Sequence, residues 1–363
     1  MKEIRKIIEY YDATDHSAEK LALASVVNVE ASSYRRIGAR MLVCSSGNWV
    51  GGISGGCLEG DALKRSQKAI FSNTPSSVVY DTMDDDNNQI GVGLGCNGRI
   101  EVLFTPINSE DPNNPIEQLR KIAQSKTPSI LLKVVKSAES EQTLGYSKLI
   151  SPSEKLGQFC NIATEELERT VLEVQDNKRP LIKQFIAKNH QKLTVLIEFI
   201  RPETKLIIVG DNYDVSALVG IADELGWECY IVGRKKKISK HTFQIAKAVY
   251  EYEEFSKLSF DEYTAVVLMT HDYNWDKKIL PKVIDKKLPY LGMLGPKKRM
   301  IKMQEDLNLE ALDKISKFYS PVGLDIGAES PEEIALAIAA EIVAALRKKS
   351  GKPLKYKKGV IHD

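Results

Sequence analysis

Two glycine-rich loops in the first half of the chain each carry one cysteine. The first, Gly51-Gly52-Ile53-Ser54-Gly55-Gly56-Cys57-Leu58-Glu59-Gly60, runs into the amphipathic stretch ALKRSQKAIF. The second, Gly91-Val92-Gly93-Leu94-Gly95-Cys96-Asn97-Gly98, enters the strand-like run RIEVLF. Glycines let backbone approach a ligand closely, and a helix N-terminus presents unpaired N–H groups at the positive end of its dipole. Cys57 falls at or near such a terminus, where the pKa of a thiol is lowered and the thiolate favoured. Each loop alone also reads as a tight turn whose cysteine is a small apolar residue. Together they read as a place for an anionic ligand beside reactive sulfur. Arg35, Arg36 and Arg40, in the run YRRIGAR, are close enough in sequence to clamp a phosphate, although a solvated strand end is the common alternative. Asp84-Asp85-Asp86 lacks cation-ligand spacing and reads as an exposed acidic turn.

A second candidate site lies in the other half. Gly210-Asp211-Asn212-Tyr213-Asp214-Val215 follows a buried strand where a dinucleotide fold carries G-x-G-x-x-G, and only the first glycine is present. The next strand ends Val232-Gly233-Arg234, without the acidic residue that holds a ribose 2′-hydroxyl. Arg234 and Lys235–Lys237 favour a 2′-phosphate, so NADP fits better than NAD, with Gly210, Asp211, Asn212, Arg234 and His271 as the residues of a possible nucleotide site. His271, closing the run TAVVLMTHD, sits where open α/β sheets bind ligands; a structural hydrogen bond explains it equally well. No Ser/His/Asp set, CxxC or HxxxH is present.

The elements that must position these residues change character along the chain. Residues 22–30, 40–44, 78–81, 100–105, 129–136 and 194–200 are short β-branched runs, whereas the proline-bearing segment 106–116 reads as a surface connection. The spacing predicts a helix around 179–189. After Arg201-Pro202 the runs KLIIV (205–209), ECYIV (228–232), TAVVLMT (264–270) and PYLGML (289–294) alternate with helical patterns, as βαβ units with a parallel sheet do. Ser330, Pro331 and Glu333 supply the start chemistry of a last helix. The fold class is therefore α/β: a β-rich N-terminal domain, 1–200, that carries the two glycine–cysteine loops of the expected ligand site, and a Rossmann-like parallel-sheet domain, 201–363.

Composition fits that outline. The chain has 363 residues, 43% of them apolar, and 51 basic against 49 acidic side chains for a net charge of +2. Two domains of ordinary size follow, with no global field to steer nucleic acid or an anionic membrane. Neither a signal peptide nor a bilayer-spanning segment is expected. Five widely spaced cysteines do not make a disulfide framework, so a reduced, cytoplasmic chain is expected, with Cys44, Cys160 and Cys229 as packing residues. The lysine-rich tail from Arg347 reads as a solvated end.

The segments GGISGGCLEGD (51–61), GLGCNGRIEVL (93–103), MTHDYNWD (269–276), YLGMLGPKKRM (290–300) and SPVGLDIGAESPEEIALAIAAEI (320–342) resemble the XdhC/CoxI family of xanthine dehydrogenase accessory factors. The resemblance runs in order through both halves, outside roughly 106–200. It implies a maturation factor that binds the molybdopterin form of the molybdenum cofactor and holds it during sulfuration. Delivery to a xanthine-dehydrogenase-type molybdoenzyme then follows. It also implies a cysteine desulfurase as second partner, and a homodimer is the expected assembly. Carried over by position, Cys57 and Cys96 match the family's two cysteines and would contact the molybdenum. Gly55, Gly56, Gly95 and Gly98 would shape the loops, and Arg36 and Arg40 would serve the anion. Asn212 and Gly233 depart from the family's glycine and aspartate. The competing reading is an NAD(P)-dependent oxidoreductase or a xanthine-dehydrogenase-associated subunit. For a xanthine dehydrogenase proper, iron–sulfur cysteine clusters would be needed, and they are absent from this sequence.

Overall fold

The computed structural model describes residues 1–31, 33–81, 98–137, 143–150, 156–309, 312, 315 and 317–358. They form two compact units, Met1–Pro202 and Glu203–Tyr356, with Lys357 and Lys358 counting with the first.

The first unit holds helices α1 (Lys2–Ala13), α2 (Glu59–Ser72), α3 (Pro115–Gln124) and α4 (Thr164–Asn177). Strands β1 (Leu21–Ala31), β2 (Arg40–Cys44), β3 (Trp49–Gly51), β4 (Ser76–Asp81) and β5 (Gly98–Ile107) make one antiparallel sheet in the order β3-β2-β1-β5-β4. Strands β6 (Ser129–Ser137), β7 (Ser147–Ile150), β8 (Leu181–Ile186) and β9 (Lys192–Ile200) make another, ordered β7-β6-β9-β8. The two-residue period of a strand sorts their side chains into layers. Ala24, Val26, Val102 and Phe104 pack with Leu58, Ala62 and Ala69 of α2 and its leading loop. Ile130, Leu132, Val134, Val195 and Ile197 pack with Leu167, Val171 and Val174 of α4. The alternate residues Val27, Leu103, Val135 and Leu196 meet one another, so the two sheets stack between α2 and α4. Ile4, Ile7, Ile8 and Tyr11 give α1 one apolar face, which joins Ile116, Leu119 and Ile122 of α3.

Two expectations for this unit need correction. Residues 181–186 form strand β8 rather than a helix, and the helix of that region lies upstream as α4. β8 is a sheet edge with Ile186 exposed, which blurs its alternation. The segment 106–116 is only partly a surface connection. The buried Asn114 caps α3, its Oδ1 accepting from Ile116 N at 2.8 Å and Glu117 N at 3.2 Å.

In the second unit β10 (Lys205–Val209), β11 (Glu228–Val232), β12 (Ala248–Tyr250), β13 (Thr264–Leu268), β14 (Tyr290–Met293) and β15 (Phe318–Tyr319) form one parallel sheet. Its order, β12-β11-β10-β13-β14-β15, is that of a doubly wound dinucleotide fold. Leu206 and Ile208 face α5 (Asp214–Glu224) and α9 (Pro331–Arg347); Ile207 and Val209 face α7 (Tyr273–Val283) and α8 (Lys297–Asp306). Burial on both faces explains the unbroken apolar runs. Ser330 and Glu333 form a reciprocal capping box at the start of α9. A short helix, α6 (Lys240–Ile245), follows β11. No helix among the described residues is long and apolar enough to cross a membrane.

Candidate functional site

One end of the first sheet collects the segments singled out in the sequence. β1 ends at Ala31, which pairs with Gly98 where β5 begins; Ile100, two residues on, pairs with Tyr80 of β4. The Tyr80 hydroxyl donates to Asp61 Oδ2 at 2.7 Å, which holds the first turn of α2 over that sheet end. Asp61 also pairs with Arg65 one turn on. Burial first, then the Asp61 carboxylate, pushes the Tyr80 phenol well above its ordinary value, so it stays a donor. Cys57 immediately precedes Leu58, the N-cap of α2, and is exposed as a free thiol. The ring of Tyr34 covers Gly55 so closely that a Cβ there would stand 3.3 Å from it. The loop of Tyr34–Arg36, the loop of Gly52–Leu58 and the start of β5 at Gly98 therefore share one sheet end. Gly95, Cys96 and Asp84–Asp86 lie outside the described residues.

Inside the cysteine loop the chain supplies its own anion. Glu59 Oε1 accepts from Ile53 N at 3.1 Å and Ser54 N at 2.8 Å, and Oε2 accepts from Leu58 N at 3.2 Å. Ser54 donates its hydroxyl to Glu59 Oε2 at 2.5 Å and accepts from the N–H groups of Gly56, Cys57 and Leu58 at 3.1–3.2 Å. Cys57 Sγ lies 3.5 Å from the same Ser54 oxygen. Burial raises the Glu59 carboxyl, but hydrogen bonds from the Ser54 hydroxyl and the loop N–H groups outweigh it and hold the group below its ordinary value. The loop N–H groups expected to hold a ligand are thus largely committed to Glu59 and Ser54, which corrects the sequence reading. Glu59 escaped that reading because an acid in a first helical turn is ordinary dipole chemistry. The fainter signal was Ser54 five residues before it, inside a glycine run.

The arginines separate. Arg36 is exposed, and its guanidinium has no hydrogen bond or ion pair among the described residues. Arg35 pairs with Glu3 of α1. Arg40 does not reach the loop surface. It is 4% exposed between the two sheets, where its Nη2 donates to Glu198 Oε2 at 2.7 Å and its Nη1 to the Gly38 carbonyl. Arg40 is thus removed from the anion-binding set, because its charge is spent on a buried carboxylate. Gly38 is obligatory beneath it: φ is +89°, and a Cβ would stand 2.3 Å from Glu198 Oε1. Lys133 of β6 shares the layer, its Nζ 3.3 Å from Ser25 Oγ. Cys44 and Cys229 are buried, and Cys160 is partly buried. Burial pushes the Cys160 thiol up to about 11 and the Cys229 thiol to about 12, as packing residues require.

In the second unit Gly210, Asp211, Asn212, Arg234 and His271 do meet at the carboxyl ends of β10, β11 and β13. Their bonds run to one another. Asp211 Oδ2 accepts from Arg234 N at 3.0 Å and Nε at 2.6 Å, Oδ1 accepts from Nη2 at 3.1 Å, and Lys237 Nζ lies 3.6 Å away. Burial raises the Asp211 carboxyl, but the Arg234 hydrogen bonds and charge outweigh it and hold the group below its ordinary value. Asn212 Nδ2 donates to the Thr270 carbonyl at 3.2 Å, and His271 Nε2 meets Asp214 Oδ2 at 2.6 Å. The guanidinium expected to favour a 2′-phosphate is thus held by Asp211. The sequence also gave no sign of Asp214 as the partner of His271.

An antiparallel sheet that presents a thiol loop at one end, followed in the same chain by a parallel sheet of Rossmann order, defines a class of two-unit α/β protein. Residues 15–81 match the model of the XdhC and CoxI family, and residues 206–342 match that of the XdhC Rossmann domain. A relative in Bacillus subtilis (strain 168), described as a probable subunit of xanthine dehydrogenase, is 30% identical over 92% of this chain and 95% of its own. The chain belongs to the XdhC and CoxI family. The molybdenum cofactor insertion chaperone PaoD of Escherichia coli (strain K12) is 21% identical over 94% of this chain and 88% of its own. A crystal structure described as a xanthine dehydrogenase from Bacillus halodurans superposes with a TM-score of 0.76 at 28% identity, covering 98% of this chain and 99% of that one.

Proposed function

We propose that this protein is a maturation factor for a xanthine-dehydrogenase-type molybdoenzyme. It binds the molybdopterin form of the molybdenum cofactor, holds it while the sulfido ligand is installed, and delivers it to the apoenzyme. The observation that carries this reading is the convergence of the Tyr34–Arg36 turn, the Cys57 loop and the start of β5 at one sheet end. The cargo brings a phosphate and an oxyanionic metal centre. Exposed and unpaired among the described residues, Arg36 suits the phosphate, and the exposed Cys57 thiol, with Cys96 from the second glycine loop, suits the soft metal. Gly55 lets the Tyr34 ring lie against the loop, and Gly56, at φ +108° with open space where a Cβ would stand, keeps the adjoining surface clear. The insertion-chaperone name of the PaoD relative supports the reading. A cysteine desulfurase as sulfur donor and a homodimeric assembly belong to the same proposal, and no step of it requires turnover by this chain.

The test is a titration of purified protein with released molybdenum cofactor, read by protein fluorescence and by metal retained after gel filtration. Saturable binding is expected, with a loss of at least about tenfold in affinity for the Cys57→Ala/Cys96→Ala double variant. Undiminished binding by that variant would overturn the site.

A further inference from the structure

The gap between β10 and β13 is the switch point of the second unit's sheet, where a Rossmann fold takes a dinucleotide. Three things make such a site: a glycine turn that admits the pyrophosphate, free N–H groups at the following helix, and a ribose anchor at the end of the next strand. The residues present do not fit them. We propose that this crevice is ligated by the chain's own carboxylates, Asp211 and Asp214, and excludes phosphate-bearing dinucleotides, with Asp211 as the residue that sets the exclusion.

Asp211 takes the place of a 2′-phosphate. Its side chain is fully buried and binds Arg234 through both oxygens, with Lys237 alongside, so the cations a dinucleotide would use are already neutralised. Asp214 takes the place of the pyrophosphate. It is the first residue of α5, it is buried, and its Oδ2 is bound by His271. Its Oδ1 is also buried, with no hydrogen-bond partner among the described residues. A carboxylate there satisfies the helix dipole and repels an incoming phosphate at the same point. Two first-turn N–H groups are also engaged within the turn: Val215 N donates to the Asn212 carbonyl and Ser216 N to the Tyr213 carbonyl, each at 3.2 Å.

The glycines agree. A Cβ on Gly210 would stand 2.4 Å from the Met269 carbonyl oxygen, and one on Gly233 would stand 2.7 Å from the Gly210 carbonyl oxygen. Both are needed because neighbouring strand ends approach each other, an origin distinct from the ligand approach that glycine serves in a phosphate loop. Asn212, reaching across to Thr270, closes the remaining span. His271 holds its left-handed backbone, φ +55°, against this side. Apart from Asp214 Oδ1, the polar side chains named here are thus satisfied within the chain rather than by a ligand.

The experiment is a titration of the full chain with NADPH, read by nicotinamide fluorescence and by calorimetry, on the wild type and on Asp211→Asn. The wild type is expected to show no saturable binding into the millimolar range. Asp211→Asn keeps the shape but releases Arg234 and Lys237, and is expected to gain at least about tenfold in affinity, with NADPH preferred over NADH. Asp214→Asn, the second variant, is expected to gain for both nucleotides equally because it lifts repulsion at the pyrophosphate. Micromolar binding of NADPH by the wild type would overturn the proposal, whatever the variants do. So would an absence of gain in Asp211→Asn shown by circular dichroism to be folded, or, should that variant not fold, an absence of gain in folded Asp214→Asn.

Discussion

Lys133 sits in the layer between the two sheets of the first unit, buried beside the Arg40–Glu198 pair. Burial, then the nearby Arg40 charge, lower its amine from 10.5 to about 8, and Glu198 opposes them only in part. A tenfold change in a proton equilibrium is worth about 1.4 kcal/mol, so holding this ammonium in the fold costs on the order of 3 kcal/mol at pH 7. The sign is fixed by proton counting. Between pH 8 and 10.5 the unfolded chain carries the proton and the folded chain does not, so stability rises with pH through that window. Below pH 8 both states are protonated and the cost is constant. Lys133→Met fills nearly the same space without a charge and leaves Arg40 and Glu198 as a balanced pair. The variant is expected to be more stable than wild type by about 1–3 kcal/mol at pH 7, the lower bound allowing for the lost Ser25 bond. The advantage shrinks by about 1.4 kcal/mol for each step of one in pH above about 8. Urea unfolding of both proteins, measured in parallel at about pH 7 and about pH 9.5, reads this directly. A variant less stable than wild type at neutral pH, or a difference that does not change between the two conditions, would refute the reasoning.

Glu59→Ala strands the N–H groups of Ile53 and Ser54 and the Ser54 hydroxyl, leaving Leu58 N only its bond to Ser54, and is expected to cost about 3 kcal/mol of local stability. Hydrogen exchange over residues 52–58 should accelerate while β10 peptides stay unchanged; equal protection in both proteins would sink the role given to Glu59. Because the folded Glu59 carboxyl lies below its ordinary 4.5, its contribution is full above that pH and is lost as pH falls through the folded value, so wild-type protection should fade in acid. Arg299→Met leaves Asp276 buried with only Thr270 as partner, where burial already raises its carboxyl against the pull of Arg299. The second unit's unfolding transition should lose about 3–5 kcal/mol, and a loss below about 1 kcal/mol would count against the buried pair.

What could be read in advance followed physical range. β10 and β11 fall on KLIIV and ECYIV because strands buried on both faces leave an unbroken apolar run. The start of α9 was legible because a capping box is a short local signal. α4 was missed although Leu167, Val171 and Val174 keep helical spacing, because the acids and polar residues around them dilute the pattern. In the site, glycine loops and the thiol stood out by local composition. Arg40 misled because its partner, Glu198, is 158 residues away and no local pattern announces it. Asp211 misled in the same way: within the sequence it is one letter of an imperfect phosphate loop, and only the fold brings Arg234 onto it.

The carboxylate of Glu59 bears on how tightly the neighbouring surface can hold anything. A loop that orders only around its ligand spends part of the contact energy on that ordering, and releases it again on departure. Here the ordering is complete in the free protein, since one side chain of the same helix has closed the turn. On the function proposed above, arrival of a cargo at this loop therefore needs no folding of residues 52–58, and departure is not slowed by it. If the task is to hand a load to another protein, as proposed above, a loop of fixed shape is the useful kind.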